Sequence, residues 1–166
     1  MISVPFIIDG HNLIPKIPGL SLQRVDDELQ LIHLLQDFCR RQRKTAEVYF
    51  DNAPPGYASV QKLGRLKVHY IRQGSSADQA IRGQLVKLGR TAANWIVVSS
   101  DREVQAAAKI AGARQITAEA FSGMLQRVLW DNRDEEAGRS ISANEVAEWL
   151  VLFENPDGRK EDKLNK

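Results

Sequence analysis

The chain has 166 residues, 43% hydrophobic and 27% charged, which fits one soluble globular domain and excludes wholesale disorder. A single cysteine, Cys39, excludes a disulfide framework and a multi-cysteine zinc site. The net charge of +2 hides an asymmetry: residues 40–90 carry 11 Lys and Arg against 3 Asp and Glu, a basic middle suited to a polyanion. No apolar run approaches the ~18 residues of a membrane span. The start, MISVPFIIDG, has neither a basic leader nor a small-residue cleavage site, so a reducing cytosol is the expected location.

Short apolar runs alternate with amphipathic stretches. VPFII at 4–8 reads as a buried strand closed by the polar turn Asp9-Gly10-His11-Asn12. A Pro/Gly loop follows to Leu20. Ser21 offers an N-cap, and Leu22, Val25, Leu29, Ile32, Leu35 and Cys39 recur at helical spacing. Asp26, Asp27 and Glu28 lie early in this helix and Arg40, Arg41, Arg43 and Lys44 at its end, both favoured by the helix dipole. AEVYF at 46–50 is the second strand, ending at Asp51. After the loop NAPPGY and a short polar segment, LKVHYI at 66–71 is the third.

Ser76 can cap a helix reaching about Leu88, with Ile81, Leu85 and Leu88 on one face. NWIVVSS at 94–100 is the fourth strand. Val104, Ala107, Ala108 and Ala111 give a small-residue helix ending at Gly112, RQIT at 114–117 a short strand, and Phe121, Met124, Leu125, Val128 and Leu129 another helix. Trp95, Trp130 and Trp149 lie on apolar faces and are assigned to the core. Beyond a charged loop, Ser142 and Glu145 form a capping box before Val146, Trp149, Leu150 and Phe153, a stripe expected to be buried. The tail 156–166 has nothing to bury and is expected to be disordered. Strands separated by helices predict an α/β fold with a mostly parallel sheet of about five strands and a C-terminal helix.

Four acids mark the ends of successive strands. Asp9 follows the first and Asp51 the second, Asp78 opens the helix after the third, and Asp101 follows the fourth. Each has a local explanation: a turn at Asp9-Gly10, the Asn52–Gly56 loop, a first-turn acid at Asp78, and a capping box in Ser100-Asp101-Arg102-Glu103. None explains the recurrence. In an open parallel sheet, ligands bind beyond the carboxyl ends of the strands. Carboxylates at ~4 Å repel by roughly 4 kcal/mol at an effective dielectric of ~20, so such a cluster calls for a cation. An all-oxygen donor set favours Mg²⁺ or Mn²⁺. An acidic metal pocket with basic flanks points to phosphodiester hydrolysis.

IIDGHNLI, VYFDN, QGSSADQAI and VVSSDREVQ, in this order and spacing, resemble the NYN domain of the YacP type, a branch of the PIN-like nucleases. The resemblance covers about residues 2–130, and WLVLF is similar to the end of that family. It implies a Rossmann-like α/β/α sandwich (a PIN-like NYN domain over 1–130, a loop and helix over 131–155) and a metal-dependent endoribonuclease of RNA, with ribosome-associated RNA among the candidate substrates. It places Asp9, Asp78 and Asp101 in the acidic, metal-binding core, with Asn12 supporting the first acid, Ser100 beside the last, and Asp51 at the edge. Gln79 departs from the pattern, since many relatives carry a second acid there.

Smaller assignments complete the reading. Arg72, Arg82, Lys62 and Arg65 are candidates to follow an RNA backbone, and Tyr57 to stack on a base. His11 is either a proton donor or a structural loop residue; Ser75 and Ser76 either touch phosphate or cap a helix. No G-x-G-x-x-G follows the first strand, which disfavours a dinucleotide enzyme. The competing reading is a non-catalytic RNA- or ribosome-binding module that keeps the fold without strong metal binding. Response to metal separates the two.

Overall fold

A computed structural model describes residues 4–22, 26–53, 56 and 58–130. Its elements, in chain order, are β1 (Phe6–Asp9), α1 (Gly10–Leu13), a 3-10 turn (Ile14–Lys16), α2 (Asp26–Gln42), β2 (Ala46–Phe50), β3 (Val60–Leu63), β4 (Leu66–Tyr70), α3 (Ala77–Leu88), a 3-10 turn (Gly89–Asn94), β5 (Ile96–Val98), α4 (Arg102–Ala111), β6 (Arg114–Ile116) and α5 (Ala118–Trp130).

The strands form one six-stranded sheet in the order β3-β4-β2-β1-β5-β6. All pairs are parallel except β3 with β4. Alternate residues of each strand face opposite sides. Phe6, Ile8, Val48, Phe50, Val68, Val98 and Ile116 pack with α2 and α5, whereas Ile7, Tyr49 and Val97 pack with α3 and α4. The result is an α/β/α sandwich. On the α2/α5 side, Phe6 meets Phe38 and Phe121 at ring distances of 5.9 and 5.4 Å, each fully buried side chain contributing about 1.5–3 kcal/mol.

The sheet has one strand more than the sequence predicts. Val60-Gln61-Lys62-Leu63, the short polar segment, is an antiparallel edge strand with exposed and partly buried residues alternating. An edge strand needs only one partner and little apolar content, so periodicity does not reveal it. The turn after β1 coils into α1. Helix α2 is described from Asp26, and Leu22 lies in a turn. Leu22 and Leu29 are exposed, and the buried face is Leu31, Ile32, Leu35, Phe38 and Cys39. Burial pushes the Cys39 thiol up to about 12, leaving it inert. Trp95 is half-buried, and Trp130 is 39% exposed rather than in the core. The caps at Ser76 and Gly112 are present as predicted. Tyr57, Val25, the Ser142–Glu145 box, the stripe of Val146, Trp149, Leu150 and Phe153 and the tail lie outside the described residues.

Candidate active site

The chain leaves β1 towards β2 on one side and returns to β5 on the other, so the strand order reverses between β1 and β5. In open parallel sheets ligands bind at such a switch point, beyond the carboxyl edge of the strands. Asp9 is the last residue of β1, and Ser99, Ser100 and Asp101 lead from the end of β5 into α4.

Asp9 is 9% exposed. Burial raises its pKa from 3.8 to about 6; the Ser99 hydroxyl and the Asn12 N–H, both donating to it, work against the rise, and the charges of Asp51 and Asp101 add to it. Gly10 is required next. A Cβ there would lie 2.3 Å from the Phe50 ring and 2.9 Å from the Tyr49 carbonyl oxygen, because α1 presses onto β2. Asn12 Oδ1 accepts the Ser100 N–H at 2.7 Å, tying the exit of β1 to that of β5. Ser99 Oγ donates to Asp9 Oδ2 at 3.3 Å and accepts the Asp101 N–H at 3.0 Å.

Asp101 is the N-cap of α4: its Oδ1 accepts from the backbones of Glu103 at 2.8 Å and Val104 at 3.2 Å. Asp78, in the first turn of α3, accepts from Arg82 at 2.9 Å through Oδ2. Its Oδ1 is buried without a hydrogen-bond partner among the described residues. Asp78, Asp101 and Glu103 each present one oxygen, all within 4.8 Å of one another. A carboxylate oxygen out of water and unpaired is costly, and three carboxylates this close repel. Asp101 and Glu103 are exposed and Asp78 partly buried, and an all-carboxylate donor set of this kind fits a hard divalent ion.

Asp51 stands to one side of this trio. Its Oδ1 accepts the N–H of Ala77, the first residue of α3, and its own N–H donates to His11 Nδ1 at 3.3 Å. His11 Nε2 meets Glu28 Oε1 at 2.6 Å, and this bond, ahead of other causes, raises the His11 pKa. Ser100 turns away from the acids. Its hydroxyl donates to Glu119 at 2.5 Å and accepts the Ala118 N–H at 2.9 Å, serving the start of α5. The bond from Ser100, with one from Lys16, holds Glu119 down to about 2. Ser76 caps α3, and Ser75 donates to Gln79 at 3.2 Å.

The basic candidates separate. Arg82 is committed to Asp78 in this state. Arg72 is exposed just past β4, on the acidic edge. Arg65 precedes β4, so it lies at the opposite edge of the sheet, beside a cleft with His33, Asp37 and Arg40. Lys62 lies on β3 between these edges.

Two residues escaped the sequence reading. Glu103 belongs to the acidic trio, and its signal was an acid two positions after Asp101, absorbed into a capping-box pattern. Ser99 bridges Asp9 and Asp101; in Ser99-Ser100 the sequence does not reveal which hydroxyl turns towards the acids.

A family model described as the YacP-like NYN domain matches residues 6–150. Among solved structures, Rae1 (YacP) from Bacillus subtilis shares 22% identity at a TM-score of 0.65, over 93% of this chain and 89% of that one. Its W164L mutant shares 20% at a TM-score of 0.60, over 95% and 96%. At this identity the likeness is one of fold. No curated protein matches the sequence.

Proposed function

The chain belongs to the YacP-like NYN domain family, within the PIN-like nuclease fold, and from that premise we propose that it is a divalent-metal-dependent endoribonuclease. The observation that carries the reading is the trio Asp78, Asp101 and Glu103, with its buried, unpartnered Asp78 Oδ1, at the switch point of the sheet beside Asp9.

Asp78, Asp101 and Glu103 would hold Mg²⁺ or Mn²⁺, with Asp9 next to them. Such an ion supplies an activated water and charge neutralisation at the phosphate. The protein's own groups do the rest. Asn12 and Ser99 lock the exits of β1 and β5 together, fixing Asp9 against Asp101. Arg82 balances Asp78 and would meet a phosphate brought to that acid. Arg72 and Lys62 lie where an RNA backbone can be held on the side of β4. Glu103 offers the additional acid that Gln79 does not provide. Arg65, at the far edge, has no part in this arrangement.

The substrate class is RNA, with ribosome-associated RNA one candidate, and the cytoplasm is the proposed compartment. Among the described residues no helix is long and apolar enough to cross a membrane. The test is cleavage of labelled single-stranded and structured RNAs with Mg²⁺, Mn²⁺ or EDTA, for wild type and Asp101→Asn. Cutting should need metal and fall at least about 10²-fold in the variant, some 3 kcal/mol of barrier. Full cleavage in EDTA, or wild-type cleavage by Asp101→Asn, would sink the mechanism. RNA binding with no cleavage under any metal would favour the non-catalytic module.

A further inference from the structure

Backbone pairing aligns Val60, His69, Tyr49 and Asp9 in one row across β3, β4, β2 and β1. Residues of one row face the same side of a sheet. One step back on that side, Lys62 lies directly opposite Lys67. Helices α3 and α4 cover this side over β1 and β5. Over β3 and β4 it is open among the described residues: Val60 is 47% exposed, Lys62 and Lys67 are exposed, and His69 is partly so.

Two features of this strip bear on what it can hold. Like charges directly opposite across strands are destabilising. Neither lysine has a carboxylate within ion-pair distance among the described residues, although Lys67 lies in the field of Glu47. A lysine on an edge strand guards against edge pairing. That explains Lys62 on β3; Lys67, on a strand paired on both sides, lies opposite Lys62 of β3 and opposite Glu47 of β2, a repulsion on one side and an attraction on the other. The second feature is the His69 ring. It lies flat on Tyr49 at 4.2 Å and 4°, pinned through Nε2 to Glu47 at 2.7 Å, beside the exposed Val60. The strip therefore sets two exposed lysines, of which Lys67 alone faces a carboxylate across the strands, beside an aromatic ring and an apolar side chain, the combination that holds phosphates and bases of a single strand.

We propose that Val60, Lys62, Lys67 and His69 form the track on which single-stranded RNA lies as its scissile phosphate reaches the acids. The track rests on the reading of RNA as substrate. Three strand spacings of about 4.8 Å put Val60 about 14 Å from Asp9, so the bound groups belong to the same strand a few nucleotides from the cleaved bond. The lysines take phosphates, and a base settles on Val60 beside the partly exposed edge of His69.

The experiment measures binding in EDTA, so that the RNA is not cut. Labelled single-stranded RNA is titrated by fluorescence anisotropy across a KCl series, against wild type and the double variant Lys62→Ala/Lys67→Ala. Affinity should fall about tenfold. The plot of log affinity against log salt should flatten by about 1.4, two single-strand phosphates at ~0.7 each. The melting temperature should hold, since the substitution removes the Lys62–Lys67 repulsion together with the Lys67–Glu47 attraction. Unchanged affinity and salt slope would overturn the track. So would an equal loss on duplex RNA of the same sequence, whose bases are already stacked. If no metal supports cleavage while lysine-dependent binding persists, the track stands and the nuclease reading fails.

Discussion

The hydroxyl of Ser99 donates to Asp9 Oδ2 at 3.3 Å, yet Asp9 still titrates near pH 6, because burial outweighs the bond. The acid most deeply placed at the switch point is thus held at a cost to the fold. In the folded protein it binds its proton more tightly than in the unfolded chain. Its contribution favours folding fully below pH 3.8 and is lost as pH rises through about 6. A shift of this size is on the order of 3 kcal/mol.

Asp9→Asn should therefore stabilise the metal-free protein. The substitution keeps the volume and an acceptor for Ser99 while removing the buried charge. In EDTA at pH 7 to 8 the melting temperature should rise by roughly 6–12 °C, and the gain should vanish as the pH approaches 4. Thermal unfolding across pH checks this. A variant less stable than wild type at pH 8 would contradict the raised pKa.

Asp101 carries two duties that substitution can separate. Its Oδ1 caps α4 through Glu103 and Val104, and it belongs to the acidic trio. Asn caps a helix about as well as Asp, whereas Ala loses roughly 1 kcal/mol. Asp101→Asn should hold stability in EDTA within about 0.5 kcal/mol and abolish the Mn²⁺-induced rise in melting temperature. Asp101→Ala should lose both. Equal destabilisation of the two, measured by urea unfolding, would place the residue's importance in packing alone.

Gly10→Ala should be among the more damaging small substitutions in the chain. The added methyl would sit 2.3 Å from the Phe50 ring, and the Tyr49 carbonyl at 2.9 Å cannot retreat without disturbing β2. Overpacking of this kind costs about 1–3 kcal/mol. It would also move α1, and with it Asn12 and the bond to Ser100. A urea midpoint equal to wild type would show that Phe50 swings aside freely.

The layout of the fold was legible because its central strands are buried runs. AEVYF emerges as β2 over Ala46–Phe50, and the Ser76 and Gly112 caps bound their helices. The edge strand Val60–Leu63 was not legible, because half its residues face water. Trp130 and Leu29 misled, because a large apolar side chain does not by itself say which way its helix turns. In the site, the recurrence of acids at strand ends pointed to one edge. Grouping them required the strand order and the start of α4, which bring Glu103 to Asp78 and Asp101 and leave Asp51 bonded to Ala77. The Asp78–Arg82 pair, four residues apart on α3, was available from spacing alone.

His11 stands between Glu28 and Asp51. Its Nδ1 accepts the Asp51 N–H, so the hydrogen-bond network assigns the ring proton to Nε2, facing Glu28. Asp51 in turn accepts from Ala77, the residue before Asp78. A line of bonds thus runs from α2 through α1 and the end of β2 to the first turn of α3, and fixes where Asp78 presents its oxygens. His11 acts through Asp51 and Asp78 as a positioning residue. His11→Ala should raise the Mn²⁺ concentration for half-maximal thermal stabilisation about tenfold, and the concentration for half-maximal RNA cleavage in step with it. The rate at saturating metal should change much less. His11→Asn, whose side-chain oxygen can still accept from Asp51, should recover most of the metal affinity. A proton donor would behave in the opposite way: metal binding would be untouched, while the saturated rate would fall about 10²-fold or more in both variants. That outcome would return His11 to the chemistry itself.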